Sequence, residues 1–94
     1  MKVVGKDRLA AFRTKHAESR SPIDAWLAES EEAEWQSFQD IRSRYPSASL
    51  VAKNRIVFNI KGNHYRLDAW IDFANAVVLI VRIGTHEEYD DWTF

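Results

Sequence analysis

Apolar and polar side chains alternate on both sides of Gly62-Asn63, and this alternation predicts a β-hairpin over residues 55–70. Glycine at the first central position suits a two-residue type II′ turn. With Gly62 and Asn63 as the loop, Lys61 pairs with His64, Asn59 with Arg66 and Arg55 with Trp70. A side-chain period of two then sorts the hairpin into faces. Ile56, Phe58, Ile60, Tyr65, Leu67 and Ala69 make the core side. Arg55, Asn59, Lys61, His64, Arg66 and Trp70 make the other, which is basic and carries an aromatic ring.

Before the hairpin the period lengthens. Residues 1–4 read as a short strand closed by Gly5, and Leu9, Phe12 and His16 then recur at helical spacing from Asp7. Ser21-Pro22-Ile23-Asp24 reads as a helix start, with Ser21 as N-cap and Pro22 at the first helical position. Ile23, Trp26 and Leu27 are its apolar stripe. Ser37-Phe38-Gln39-Asp40 repeats the cap pattern, and Pro46 stops the helix that follows. Residues 47–52 read as a short strand and Lys53-Asn54 as a turn.

After the hairpin, residues 76–83 are almost wholly apolar, the pattern of a central strand covered on both faces. Arg82 is the exception, and its face depends on the length of the turn around Ala74-Asn75. Gly84-Thr85 breaks the strand, His86, Tyr89 and Asp90 fall on a terminal helical turn, and Trp92 and Phe94 are placed to pack the tail down. The expected fold is α+β, with two or three helices packed on one face of a small, mostly antiparallel sheet. Ninety-four residues set the expectation of a single domain over 1–94.

Composition narrows the function classes. The chain is 46% apolar, which argues against disorder. It has no cysteine, which excludes thiolate chemistry and fits a reducing cytoplasm. No leader pattern and no apolar run of membrane-spanning length occurs, so a soluble cytoplasmic chain is expected, with no membrane role.

The net charge of −1 taken alone argues against a nucleic-acid partner, but the charge is uneven. Residues 18–40 hold seven acids and one base, whereas residues 41–67 hold six Lys or Arg and no acid. The basic stretch coincides with the polar side of the hairpin, the composition of an anion or RNA surface. The acids Glu29, Glu31, Glu32 and Glu34 read as a solvated helix face or as a docking surface for a basic partner.

Chemistry-bearing side chains collect in the same half of the chain. RNA cleavage without a metal needs a base for the 2′-hydroxyl, cations for the phosphorane, an acid for the leaving 5′-oxygen and a grip on the nucleotide. His64 and His86 are of the type that moves protons near neutrality. Arg66 and Arg82 suit phosphate oxygens, and Tyr65, Trp70 and Tyr89 suit base stacking. The three histidines lack metal-ligand spacing, and there is no glycine-rich phosphate loop.

Three runs carry a family resemblance: Phe58-Asn59-Ile60-Lys61-Gly62-Asn63, Tyr65-Arg66-Leu67, and Gly84-Thr85-His86 with Tyr89-Asp90. Together they resemble the HigB toxins, a branch of the RelE-like toxins of bacterial type II toxin–antitoxin systems, and the likeness covers nearly the whole chain. It implies a RelE-like fold and an mRNA interferase, an endoribonuclease that cuts mRNA by metal-independent 2′-hydroxyl attack in the ribosomal A site. No cofactor and no metal site are implied. The implied partner is a HigA-like helix-turn-helix antitoxin.

By the same resemblance Arg66 contacts the reacting phosphate, His86 is the acid and Tyr89 orients the nucleotide. The lysines that some relatives use as base have no clean match, and Lys61 and His64 are both candidates. Candidate RNA contacts are Arg55, Asn59, Asn63, His64, Arg82 and Lys53. A rival of another class is a non-catalytic RNA- or protein-binding module on this scaffold. It would keep Arg66 and the basic face but need neither His86 nor Tyr89.

Overall fold

The computed structural model describes residues 1–94 and contains five strands: Lys2–Val4 (β1), Ser49–Ala52 (β2), Arg55–Ile60 (β3), Tyr65–Asp72 (β4) and Val77–Thr85 (β5). They form one sheet in the order β1-β5-β4-β3-β2. All neighbours are antiparallel except β1, which returns beside β5 in parallel. The helices are Lys6–Lys15 (α1), Arg20–Glu32 (α2), Phe38–Arg44 (α3) and His86–Asp90 (α4). This is the expected α+β architecture, with α1, α2 and α3 on one face and α4 at the end of β5.

One face of the sheet holds the core. Ile56, Phe58, Ile60, Tyr65, Leu67 and Ala69 are all buried, as the alternation requires. They meet Leu9 and Phe12 of α1, Ile23 and Trp26 of α2, and Ile41 of α3. Phe58 is the aromatic hub, edge-on to Trp26 at 5.3 Å and to Tyr45 at 5.4 Å, and stacked near Trp35 at 6.1 Å. Such ring pairs add about 0.5–1.5 kcal/mol each beyond simple area burial. No helix is long and apolar enough to cross a membrane.

Tyr65 is buried on this helix side, packed edge-on against Phe12, so it is no base-stacking platform. Its hydroxyl donates to the Glu18 carboxylate. That bond holds the Glu18 carboxyl below its usual range and pushes the phenol up. Both directions favour the bonded pair of protonation states. The Glu18 contribution is present above the ordinary carboxyl value of 4.5 and fades as pH falls below it. The Tyr65 contribution is present below 10.0 and fades as pH rises beyond it. Tyr65→Phe should therefore lower the unfolding midpoint most between these limits. Thermal melts of both proteins across a pH series should converge at either extreme.

Four expectations change in detail, the first being that β5 runs on through Gly84 to Thr85, where a break was expected. The helix expected from Ser21 starts at Arg20, after a 3-10 turn over Ala17–Ser19, so Ser19 takes the cap position. Pro22 still falls in the first turn, where its missing N–H costs nothing. The β3–β4 ladder has the expected pairs Asn59 with Arg66 and Arg55 with Trp70, but it closes at Ile60 with Tyr65. Lys61 to His64 is the turn itself, with left-handed φ of 54° at Lys61 and 61° at Gly62.

β5 is interior but not covered on both faces. Val78 and Ile80 are buried, whereas Leu79 is 39% exposed, because the helices pack on one side only. The face of Arg82 is set by a bulge. Asp68 pairs with Arg82 but Ala69 pairs with Ile80, so Val81 is the extra residue. Strict alternation would place Ile80 and Arg82 together; the bulge turns Arg82 to the helix-free side.

Candidate functional site

Register defines three cross-strand rows on the helix-free face. Asn59, Arg66 and Gly84 form the row nearest the hairpin tip. Val57, Asp68 and Arg82 form the next. Arg55, Trp70, Leu79 and Val4 form the third.

Asp68 organises the middle row and is fully buried. Arg55 donates to both its oxygens, Nε to Oδ1 at 3.1 Å and Nη2 to Oδ2 at 2.5 Å. Arg82 Nε donates to Oδ2 at 2.9 Å. The bonds to Asp68 raise the Arg55 guanidinium above its ordinary range. The two arginines proposed as RNA contacts thus share one carboxylate. The sequence offers Asp68 or Asp72 as a possible partner of Arg66, but Asp68 pairs with Arg55 and Arg82 instead. A lone arginine in the apolar β5 run was the sign that a buried acid stood opposite.

The C-terminal segment folds back over these rows. Thr85 starts α4 with a capping box: its Oγ1 accepts the Glu88 N–H at 3.2 Å and its own N–H donates to Glu88 Oε1 at 3.1 Å. This Thr-x-x-Glu spacing fixes where the chain turns. Beyond it, the Thr93 carbonyl accepts from Arg82 Nη2 at 3.0 Å. The Arg82 guanidinium lies 4.4 Å from the Trp92 ring and 5.2 Å from the Phe94 ring. Gly84 makes room for the indole, since a Cβ there would stand 2.9 Å from Trp92.

Arg66 sits under this tail. It is 7% exposed, with its guanidinium 5.2 Å from the Tyr89 ring. Asn63 holds it twice, through the carbonyl at 2.9 Å and Oδ1 at 2.8 Å, and the Tyr65 carbonyl accepts a third bond at 3.3 Å. Its remaining N–H groups have no protein acceptor, so the side chain is oriented but not saturated.

Beside it lies a cleft of about 320 Å³ lined by Asn63, His64, Thr85, His86 and Glu87. The His86 N–H donates to the His64 carbonyl at 3.0 Å, which fastens α4 to the hairpin tip. His64 Nδ1 lies 2.9 Å from the Lys61 carbonyl, and His86 Nδ1 lies 3.7 Å from Asp90. Both imidazoles are exposed. The structure therefore places His64, His86 and Asn63 at one cleft, and Asn63 joins that cleft to Arg66 under the Tyr89 ring.

Lys61 and Asn59 stand apart from that cleft. They line a separate pocket of about 210 Å³ with Trp26, Glu29, Arg44 and Tyr45, on the other flank of the hairpin. There Glu29 accepts from both Arg44 and Tyr45, and burial together with that bond pushes the Tyr45 phenol up. Lys53 lies exposed in the turn before β3, at the end of the hairpin away from the tip. Glu29, read as solvated or docking, is in fact half-buried against α3.

A family model described as HigB_toxin, the RelE-like toxic component of a toxin–antitoxin system, matches residues 19–92. No curated protein matches the chain.

Proposed function

Because the chain belongs to the HigB family of RelE-like toxins, and so has an antitoxin as its partner, we propose that it is an mRNA interferase acting in the cytoplasm. Its reaction is metal-independent attack of a 2′-hydroxyl on the neighbouring phosphate. The observation that carries this reading is the pair of imidazoles, His64 and His86, in one cleft beside an oriented arginine.

Each residue has a role. His86 protonates the leaving 5′-oxygen, and Arg66 takes the charge that builds on the phosphate. Between the two candidates for the base, the shared cleft favours His64 over Lys61, whose pocket lies on the other flank. Tyr89 covers Arg66 in the free protein, and its ring swings onto the nucleotide when phosphate takes its place. Asn63, bonded to Arg66 and lining the cleft, sets the guanidinium for that contact. Arg55 and Arg82, tied to Asp68, hold the sheet and tail in shape and reach RNA only secondarily.

A chain with net charge −1 has weak general affinity for RNA, so the ribosomal A site supplies substrate and alignment. The antitoxin is of the HigA-like helix-turn-helix type. A non-catalytic binding module would leave the two imidazoles without a use.

Mapping RNA ends after a brief pulse of expression in growing cells tests the activity. The expected result is new cuts within mRNA coding regions, ending in a 2′,3′-cyclic phosphate or a 3′-phosphate. Growth arrest with intact mRNA would refute it.

A further inference from the structure

Five large apolar side chains are exposed: Val4, Leu50, Trp70, Leu79 and Phe94. Three of them, Val4 at 40%, Leu79 at 39% and Trp70 at 37%, are direct cross-strand partners on β1, β5 and β4. Arg55 continues the same row on β3, with its guanidinium 5.7 Å from the Phe94 ring. So four of the five belong to one band on the helix-free face. Scattered exposed apolar residues need no explanation, but a contiguous band rimmed by charge marks an interaction site.

We infer that this band is where the antitoxin docks, through an amphipathic helix that crosses the strands with acidic flanks. Spacing selects the helix. Neighbouring strands lie about 4.8 Å apart, so the three apolar side chains repeat at that interval. Residues three and four apart on a helix rise about 4.5 and 6 Å, which brackets it. Alternate residues of an extended strand are about 6.6 Å apart and fall out of step.

Charge selects the flanks. Arg55 and Arg82 share the single carboxylate of Asp68, which leaves one positive charge in excess, and Lys2 stands exposed at the start of β1. Asp72, in the cross-strand row of Lys2, keeps its charge while bonded to neutral Asn75 and offsets Lys2, so one positive charge remains in excess on this face. Carboxylates on the incoming helix would answer the excess.

RNA fits this band poorly, because two of its three strand positions are aliphatic and offer no stacking surface. The band is also about 13 Å along β4 from Arg66, on the side away from the imidazole cleft. A helix seated on it touches Phe94 and so bears on the tail that covers Arg66. The inference rests on family membership and not on the cleavage chemistry.

Calorimetric titration tests it, with the protein encoded by the reading frame adjoining this chain's own as probe. Leu79→Glu should weaken binding about 30-fold or more, the loss of a buried anchor made worse by like charge. Val4→Glu, on the short edge strand, should weaken it about tenfold and covers the case in which Leu79→Glu does not fold. Both side chains are already solvent-exposed, so the melting temperature should stay near that of the unmodified chain. Growth arrest should persist, and co-expressed partner should no longer relieve it.

Unchanged affinity in a folded variant overturns the inference. So does loss of RNA cleavage with affinity intact, which would assign the band to RNA. Self-association of the unmodified chain that the variants abolish would assign it to a second copy. Binding is read without RNA, so a chain that cuts no mRNA still gives an answer.

Discussion

Arg66→Ala is expected to lower the rate of mRNA cleavage by about 10²–10³-fold and to abolish growth arrest. Removing one preorganised donor to a developing negative charge typically costs that much, about 3–4 kcal/mol of transition-state stabilisation. Arg66 is preorganised in that sense: Asn63 holds two of its nitrogens, the Tyr65 carbonyl adds a bond and the Tyr89 ring covers it. Arg66→Lys should recover little, since an ammonium cannot reach Asn63 and phosphate oxygens with one planar fork. Single-turnover cleavage on ribosomes programmed with a defined mRNA measures the change. A melting temperature for each variant separates lost chemistry from a lost fold, because the side chain also supports the tail.

The largest effect on stability is expected from Asp68→Ala. Asp68 has no exposed surface and neutralises two arginines that are each only about a third exposed or less. Removing one partner of such a cluster costs about 3–5 kcal/mol, because the remaining charges are left without a counterion in a partly dry site. A domain of this size is stable by about 5–15 kcal/mol, so the variant should melt at least about 10 °C lower. Arg55 and Arg82 anchor Phe94 and Thr93, so the tail should loosen with it. Combining Asp68→Leu with Arg55→Met and Arg82→Met should restore much of the loss, as an apolar cluster of similar volume has no ions to desolvate. Urea denaturation of the three proteins gives the comparison. Asp68→Ala at wild-type stability would mean that solvent, not Asp68, balances the two arginines.

Much of this site could be read before folding, and the exceptions have physical causes. The hairpin register follows from Gly62 and strict alternation, so Asn59 opposite Arg66 needed only counting. The family motifs also marked Arg66 and Tyr89, which meet, and His86, which lines the cleft joined to Arg66 through Asn63. The side of Arg82 was not readable, because one extra residue at Val81 reverses the phase and no sequence rule locates such a bulge.

Lys61 looked like a partner of His64 across the turn. Its left-handed backbone takes it out of the ladder, and its side chain lines the pocket by Glu29 and Tyr45. Tyr65 suited base stacking by residue type, but alternation already put it on the core side; what could not be read was its partner Glu18, forty-seven residues away. Leu79 looked buried because β5 is apolar throughout; its exposure records that one side of the sheet has no helices.

Cleavage by the two histidine variants and their combination tests the central claim most directly. Single-turnover rates would be measured for the unmodified chain, His64→Ala, His86→Ala and the double variant on the same ribosome-bound mRNA. If the imidazoles act on one phosphodiester as base and acid, each single change should cost about 10²-fold or more, and the double variant should be little slower than the worse single. A full rate from either folded single variant would contradict it.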